Sequence, residues 1–334
     1  MRKALLGNGL EVGRIGLGCM GMSAFYTGAG TDEAGAIATI HRAIDLGVTL
    51  FDTAALYGFG MNETLVGRVL KSQRNQITLC TKGGMAGVQF DDGIKRVIDG
   101  SPEAIRRNCE DSLRRLQTDV IDLYYLHRWH KAVPIEESVG AMADLVRAGK
   151  VRAIGLSEVS APTLRKAHAV HPIAAVQSEY SLWTRNAEIA VLDLCRELGT
   201  AYVAFSPVAR GFLCGAPVDV SALPANDLRA SMPRFLGDNH VANLKVQAAY
   251  NAIAADVGCT PAQLALAWLL HKAPHTIPIP GTTSVAHLQE DLAAADVKLS
   301  AEVMARLDAT VNTHTIKGQR YAAQASSEVD TEAL

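Results

Sequence analysis

Four residue types in the first half of this 334-residue chain could together hand a proton to an oxygen atom: Asp52, Tyr57, Lys82 and His127. Asp52, Lys82 and His127 each stand where an apolar run ends, and Tyr57 follows Asp52 in Asp52-Thr53-Ala54-Ala55-Leu56-Tyr57-Gly58. A carbonyl that accepts hydride becomes an alkoxide, so its oxygen must receive a proton as charge develops. A phenol can deliver one if its pKa, about 10 when unperturbed, is drawn down, and a nearby ammonium does this by favouring the phenolate. Lys82 can supply that charge and Asp52 can hold it by an ion pair. His127 would then donate or orient a hydrogen bond to the carbonyl. The same residues also permit a plainer reading, in which Asp52 and Lys82 form a rim salt bridge, Tyr57 packs and His127 ends a strand. A third reading makes Lys82 the Schiff-base amine of a barrel lyase, because a strand-end lysine in an apolar pocket can lose its proton.

These residues need elements that bring them to one place. Short β-branched or aliphatic runs at 14–17, 48–51, 77–81, 120–126, 151–156, 174–177, 201–205 and 276–279 alternate with helical periodicity, as at 32–46, 101–116, 134–148 and 187–198. Eight β/α units predict an α/β fold, a (β/α)₈ barrel in one domain spanning 1–334. Asn8-Gly9 predicts a hairpin cap over 1–13, with a long loop at 206–240 and extra C-terminal helices leading to a tail at 314–334. In such a barrel chemistry gathers at the carboxyl ends of the strands. Nearly every run here ends in glycine or a polar residue: Gly18, Asp52, Lys82, His127, Ser157, Gln177, Ser206 and Gly281. Gly16-Leu17-Gly18-Cys19-Met20-Gly21 does spell a dinucleotide fingerprint. Gly21 leads into a loop rather than a helix, however, and no acidic residue follows at the required distance.

Composition narrows the partners. With 49% hydrophobic and 20% charged residues the chain can bury a large core, and a net charge of −2 without basic clusters gives no footprint for nucleic acid or an anionic membrane. Six cysteines stand singly, without metal or redox spacing, so no metal site is expected. The apolar run at the N-terminus is broken by Gly7-Asn8-Gly9 before a signal core forms, and no later run suits a bilayer. A cytosolic protein acting on a small molecule is the expectation.

Asp52 to Gly58, Thr81-Lys82, Leu126-His127, Ile154-Gly155-Leu156-Ser157, Gln177-Ser178-Glu179-Tyr180-Ser181 and Ile277-Pro278-Ile279-Pro280-Gly281 resemble, in order, the signatures of the aldo-keto reductase superfamily. Gly18 to Ser23, Ser206 to Leu213 and Met232 to Phe235 resemble its general bacterial and plant branch. The resemblance implies a carbonyl reductase, or the reverse alcohol oxidation, with Tyr57 as general acid in a tetrad with Asp52, Lys82 and His127. It implies an extended NADP(H) beside Met20, Gly21 and Asp52, with Ser157, Glu158 and Gln177 at the carboxamide end and Tyr180 stacked on the nicotinamide. Ser206, Pro207, Val208, Ala209, Arg210 and Gly211 would wrap the pyrophosphate, and Gly281, Thr282, Thr283, His287, Glu290 and Asp291 the adenosine end. The same fold also serves as a cofactor-sensing regulatory subunit, which is the non-catalytic alternative.

Two departures bear on specificity. Where the branch carries Lys-Arg for a 2′-phosphate this chain has Thr283-Ser284, and the lean to NADP(H) over NAD(H) then relies on hydroxyls and on Arg229 or Arg234. Glu158 stands where Asn or Arg is common and should repel a substrate carboxylate. Phe25, Tyr57, Phe59, His127 and Trp129 are the expected walls for a carbonyl or alcohol substrate of modest polarity. The tail either folds back over the pocket through Arg320 and Tyr321 or frays.

Overall fold

The computed structural model describes residues 3–7, 9–23, 32–224 and 226–333. After the hairpin β1 (Lys3–Leu5) and β2 (Glu11–Gly13), the chain runs β3 (Leu17–Gly18), α1 (Glu33–Asp45), β4 (Leu50–Asp52), α2 (Met61–Leu70) and β5 (Thr78–Gly83). A second hairpin, β6 (Met85–Phe90) and β7 (Gly93–Ile98), precedes α3 (Pro102–Leu116) and β8 (Ile121–Leu126). Next come α4 (Ile135–Arg147), β9 (Val151–Ser157), α5 (Ala161–Val170), β10 (Ile173–Glu179), α6 (Val191–Leu198) and β11 (Ala201–Phe205). The chain ends through α7 (Gly237–Val257), α8 (Pro261–Lys272), β12 (Thr276–Pro278), α9 (Val285–Ala293), α10 (Ala301–Thr310) and α11 (Ala323–Ser327).

The eight strands β3, β4, β5, β8, β9, β10, β11 and β12 lie side by side in chain order, all parallel. The first and last also meet: Gly16 N–H donates to Pro278 O at 3.0 Å, Gly18 N–H to Pro280 O at 3.0 Å, and Gly18 bridges Gly281. The sheet therefore closes, as the count of β/α units predicts. The seam needs glycine, because a Cβ on Gly18 would stand 2.9 Å from Ile279 O and one on Gly281 3.0 Å from Gly18 O.

Local signals set the boundaries. Asp32 and Ser101 cap α1 and α3 through Gly35 N–H and Ala104 N–H, Thr260 and Gln263 form a capping box on α8, and Gly199 ends α6 in the left-handed region. The strand alternation then separates two cores. Leu50, Cys80, Leu123, Tyr125, Ala153, Ala175, Val203 and Ile277 fill the barrel interior together with Leu6 and Val12 of the first hairpin, which plugs one end. Tyr124, Leu126, Ile154, Leu156, Val176 and Tyr202 point the other way, into the layer between sheet and helices.

The hairpin β6–β7 is absent from the sequence reading above. Its register runs from Met85 opposite Ile98 to Phe90 opposite Gly93, around an Asp91-Asp92 turn. Among the described residues no single helix is long and apolar enough to cross a membrane.

Candidate active site

Strand parity decides what faces the barrel mouth. Counting by twos from the interior residues Leu50, Cys80 and Tyr125 reaches Asp52, Lys82 and His127 at the carboxyl ends of β4, β5 and β8. Tyr57 comes from the loop after β4, which Thr53 N–H to Cys80 O (2.9 Å) and Ala55 N–H to Lys82 O (3.1 Å) lay along β5. That loop is fixed from behind by buried Asn62, which accepts from Thr53 Oγ1 and donates to Cys19 O at 2.9 Å and Ser23 Oγ at 2.6 Å. Sequence reasoning missed Asn62; its polar side chain just inside the helix after the tetrad tyrosine was the available signal.

The four predicted residues meet. Lys82 Nζ forms an ion pair with Asp52, donates to Thr53 O at 2.9 Å and lies 3.2 Å from Tyr57 Oη. The Tyr57 and His127 rings stand edge to face, 5.8 Å apart between centroids. All four are buried, at 8% exposure or less. Gln177 Nε2 donates to the second Asp52 oxygen at 2.8 Å, so the carboxylate is held from two sides.

Burial and charge set the protonation states. Burial pulls Lys82 down but Asp52 outweighs it, leaving its pKa above the usual lysine value and the amine an ammonium. That state is unsuited to Schiff-base attack. Burial is the main force on His127, with Arg128, Lys82 and Arg96 adding to it, and its pKa falls well below the usual histidine range, so the imidazole is neutral. Tyr57 corrects the sequence expectation of a lowered pKa. Lys82 does pull it down, but burial raises it by more, and the phenol keeps its proton.

The expected cofactor residues fall into groups. Ser157 ends β9 facing inward, with its Oγ accepting from Arg128 Nη1 at 3.2 Å. Met20 packs beside Tyr57 and Leu56, and Gly21 follows it in the short turn Met20–Met22. Ser206, Ala209, Arg210 and Gly211 all have positive φ (49°, 54°, 57° and 88°), while Pro207 and Val208 lie between them. Val208 at φ −101°, ψ 24° followed by Ala209 is the right-then-left-handed pairing that points successive N–H groups into one concavity. Thr282, Thr283 and Ser284 lead into α9, which Ser284 caps and which carries His287, Glu290 and a buried Asp291. Burial, helped by Glu290, pushes the Asp291 carboxyl up to about 7.

Four expectations need correction. Tyr180 is fully buried on the outer face of the sheet, packed against Trp268 and Tyr202 with its hydroxyl donating to Glu188 at 2.7 Å, so a stacked nicotinamide cannot reach it. Parity explains this: Gln177, Glu179 and, on the next strand, Phe205 point inward, and Tyr180 does not. Glu158 is also buried, and its carboxylate is paired with Arg320 at 2.6 Å, so it presents no bare charge to a substrate. Arg210 donates to Glu179 at 2.8 Å and Tyr321 Oη at 3.2 Å rather than reaching outward. Arg229 pairs with Asp227, and buried Arg234 donates to Trp183 O and Thr184 Oγ1, so both guanidiniums are engaged within the fold.

Of the expected walls, Phe59 is 48% exposed and lies against Gly87 of β6, and part-buried Trp129 donates from its indole to Val133 O at 2.9 Å. Phe25 lies outside the described residues. The apolar side chains around Tyr57 are Met20, Ala54, Leu56, Met85 and Ile98, the last two from the hairpin that the sequence reading lacked. Across the mouth the tail folds back. Arg320 pairs with Glu158 and Glu179, Glu328 accepts both Arg96 guanidinium nitrogens, and Asp330 caps Ser160 while its N–H reaches Glu158 O. Arg210 and two-partner Arg320 hold the buried Glu179 carboxyl down at about 2.

Comparison with known proteins agrees with this architecture. Residues 14–312 match the aldo/keto reductase family model. The chain is 44% identical over 314 residues to a probable aldo-keto reductase 1 of Glycine max, covering 94% of this chain and 89% of that protein. It superposes on the glycerol dehydrogenase AKR11B4 from Gluconobacter oxydans with a TM-score of 0.85 at 29% identity, covering 95% and 97% of the two chains. It superposes on an aldo/keto reductase from Klebsiella pneumoniae, solved with NADP and acetate, with a TM-score of 0.69 at 28% identity over 96% and 99%. Sequence, closed barrel and relatives thus place this chain in the aldo/keto reductase family, among the NAD(P)H-dependent oxidoreductases.

Proposed function

We propose that the chain, as one cytosolic barrel domain, reduces aldehydes and ketones to alcohols with NADP(H), or runs the reverse, with Tyr57 as general acid. The observation that carries this is the Lys82 ammonium, bonded at once to Asp52, Thr53 O and Tyr57 Oη beneath a neutral His127. When bound, the nicotinamide supplies the hydride. The chain does the rest. His127 and Tyr57 hold the carbonyl oxygen between them, and His127 directs a hydrogen bond to it as negative charge grows. Tyr57 passes its proton to that oxygen, and the phenolate left behind stands 3.2 Å from Lys82.

The residues present suit the cofactor. His127 Nδ1 is buried without a partner among the described residues, so a polar ligand is welcome there. Gln177 donates to Asp52, which leaves its oxygen for a carboxamide, and Ser157 keeps a hydroxyl proton for the same group. Half-buried Phe205, at the inward end of β11, takes the flat-face role first given to Tyr180. The Val208–Ala209 concavity suits a pyrophosphate, and the N-terminus of α9 with its hydroxyls favours the extra phosphate of NADP(H). Following nicotinamide absorbance over a panel of aldehydes, ketones and quinones is expected to show turnover with NADPH preferred over NADH. A strong preference for NADH would overturn the cofactor assignment, and no turnover with either would overturn the activity.

The protonation states predict a pH profile. His127 stays neutral because its pKa lies well below the usual value, and Tyr57 stays protonated because burial raises its own. Reduction should therefore hold a level kcat/KM between about pH 6 and about pH 9 and fall only on the alkaline side. A limb centred near the ordinary histidine pKa would instead make His127 the titrating acid.

A further inference from the structure

Among the described residues most charges around the mouth are compensated by an opposite charge. Lys82 is balanced by Asp52, Arg96 by Glu328, and Arg320 and Arg210 by Glu158 and Glu179. Among the described residues Arg128, the residue after His127, has only neutral acceptors. One guanidinium nitrogen, Nη1, donates to His127 O at 2.7 Å and to Ser157 Oγ at 3.2 Å. Among the described residues its other donors meet no acceptor, and no carboxylate stands within ion-pair distance. Both anchors stand at the carboxyl ends of β8 and β9, which holds the part-buried guanidinium at the rim next to His127.

We propose that Arg128 is a specificity-determining residue that selects carbonyl substrates bearing an oxyanionic group, a carboxylate or a phosphate, near the reacting carbonyl. This rests on the reductase reading of the same site. A planar guanidinium anchored at one nitrogen presents the rest of its fork in a fixed direction, which suits two-point capture of an oxyanion. Glu158 would oppose such a substrate if it were bare, but Arg320 covers its charge. The apolar walls, Met20, Leu56, Met85 and Ile98, would hold the substrate's carbon skeleton. A neutral carbonyl compound can also enter, and gains nothing from Arg128.

The test compares matched substrates on the full-length protein with NADPH: 4-carboxybenzaldehyde against its methyl ester, and glyceraldehyde 3-phosphate against glyceraldehyde. A preference for the anion of at least about tenfold in kcat/KM, arising mainly in KM, is expected in one or both pairs. A carboxylate-only or phosphate-only preference supports the proposal and identifies the group. In Arg128→Met that preference is expected to collapse, while Arg128→Lys retains part of it, and thermal melting of both variants separates lost recognition from lost fold. Two results overturn the proposal: no anion preference in either pair, or Arg128→Met lowering anionic and neutral substrates equally. Failure to reduce even the neutral ester and glyceraldehyde would count against the reductase reading instead.

Discussion

Replacing Tyr57 with phenylalanine is expected to lower kcat for carbonyl reduction by about 10²–10⁴-fold, the usual contribution of a positioned general acid. The change deletes one oxygen and little else. The ring keeps its edge-to-face contact with His127 and its place among Met20, Leu56 and Met85. Lys82 loses a contact at 3.2 Å but keeps Asp52 and Thr53 O. NADPH affinity, read by quenching of protein fluorescence, and thermal stability should both stay close to those of the parent. Turnover within a few-fold of the parent would refute the acid role. Loss of cofactor binding along with turnover would mean that the phenol is needed for assembly of the site.

The second large effect is expected from Lys82→Met, and it has two separable parts. Methionine fills the space of the lysine stem but leaves Asp52 buried with Gln177 as its remaining side-chain donor and Tyr57 without the cation that stabilises its phenolate. Stranding one member of a buried ion pair costs about 3–5 kcal/mol, so denaturant unfolding should show a loss of that size at neutral pH. Adding Asp52→Asn removes the stranded charge, and the double variant should recover much of the stability. It should recover none of the activity, since the phenolate still lacks its ammonium. If the double variant instead regained turnover, Lys82 would be a structural partner of Asp52 alone.

Much of this was legible because the barrel writes its interior at every second residue. Asp52, Lys82 and His127 each extend an alternating apolar series, and that is visible in one dimension. The same count, carried through, would have placed Tyr180 outside and Phe205 inside; matching a signature residue for residue overrode it. The hairpin β6–β7 was also signalled, by Asp91-Asp92-Gly93 between two runs of mixed polarity, but its strands are largely exposed and carry no strong apolar alternation. Pairings that span the chain were not legible. Arg320 meets Glu158 across 162 positions, and nothing local in either segment announces the other. The repulsion expected of Glu158 toward a substrate carboxylate therefore falls away, since its charge is paired within the fold.

The alternating register also constrains how such a chain can change. Loops between strands can lengthen or shorten without turning the four reacting groups, because the register within each strand is untouched; the β6–β7 hairpin occupies one such connection, between β5 and α3. Adding or deleting a single residue within β8 upstream of Tyr125 would turn His127 toward the helices and bring a neighbour into its place, whereas a change of two would preserve facing at the cost of height. Variation in length among relatives should accordingly crowd into the connections and the tail, and be scarce inside the strands.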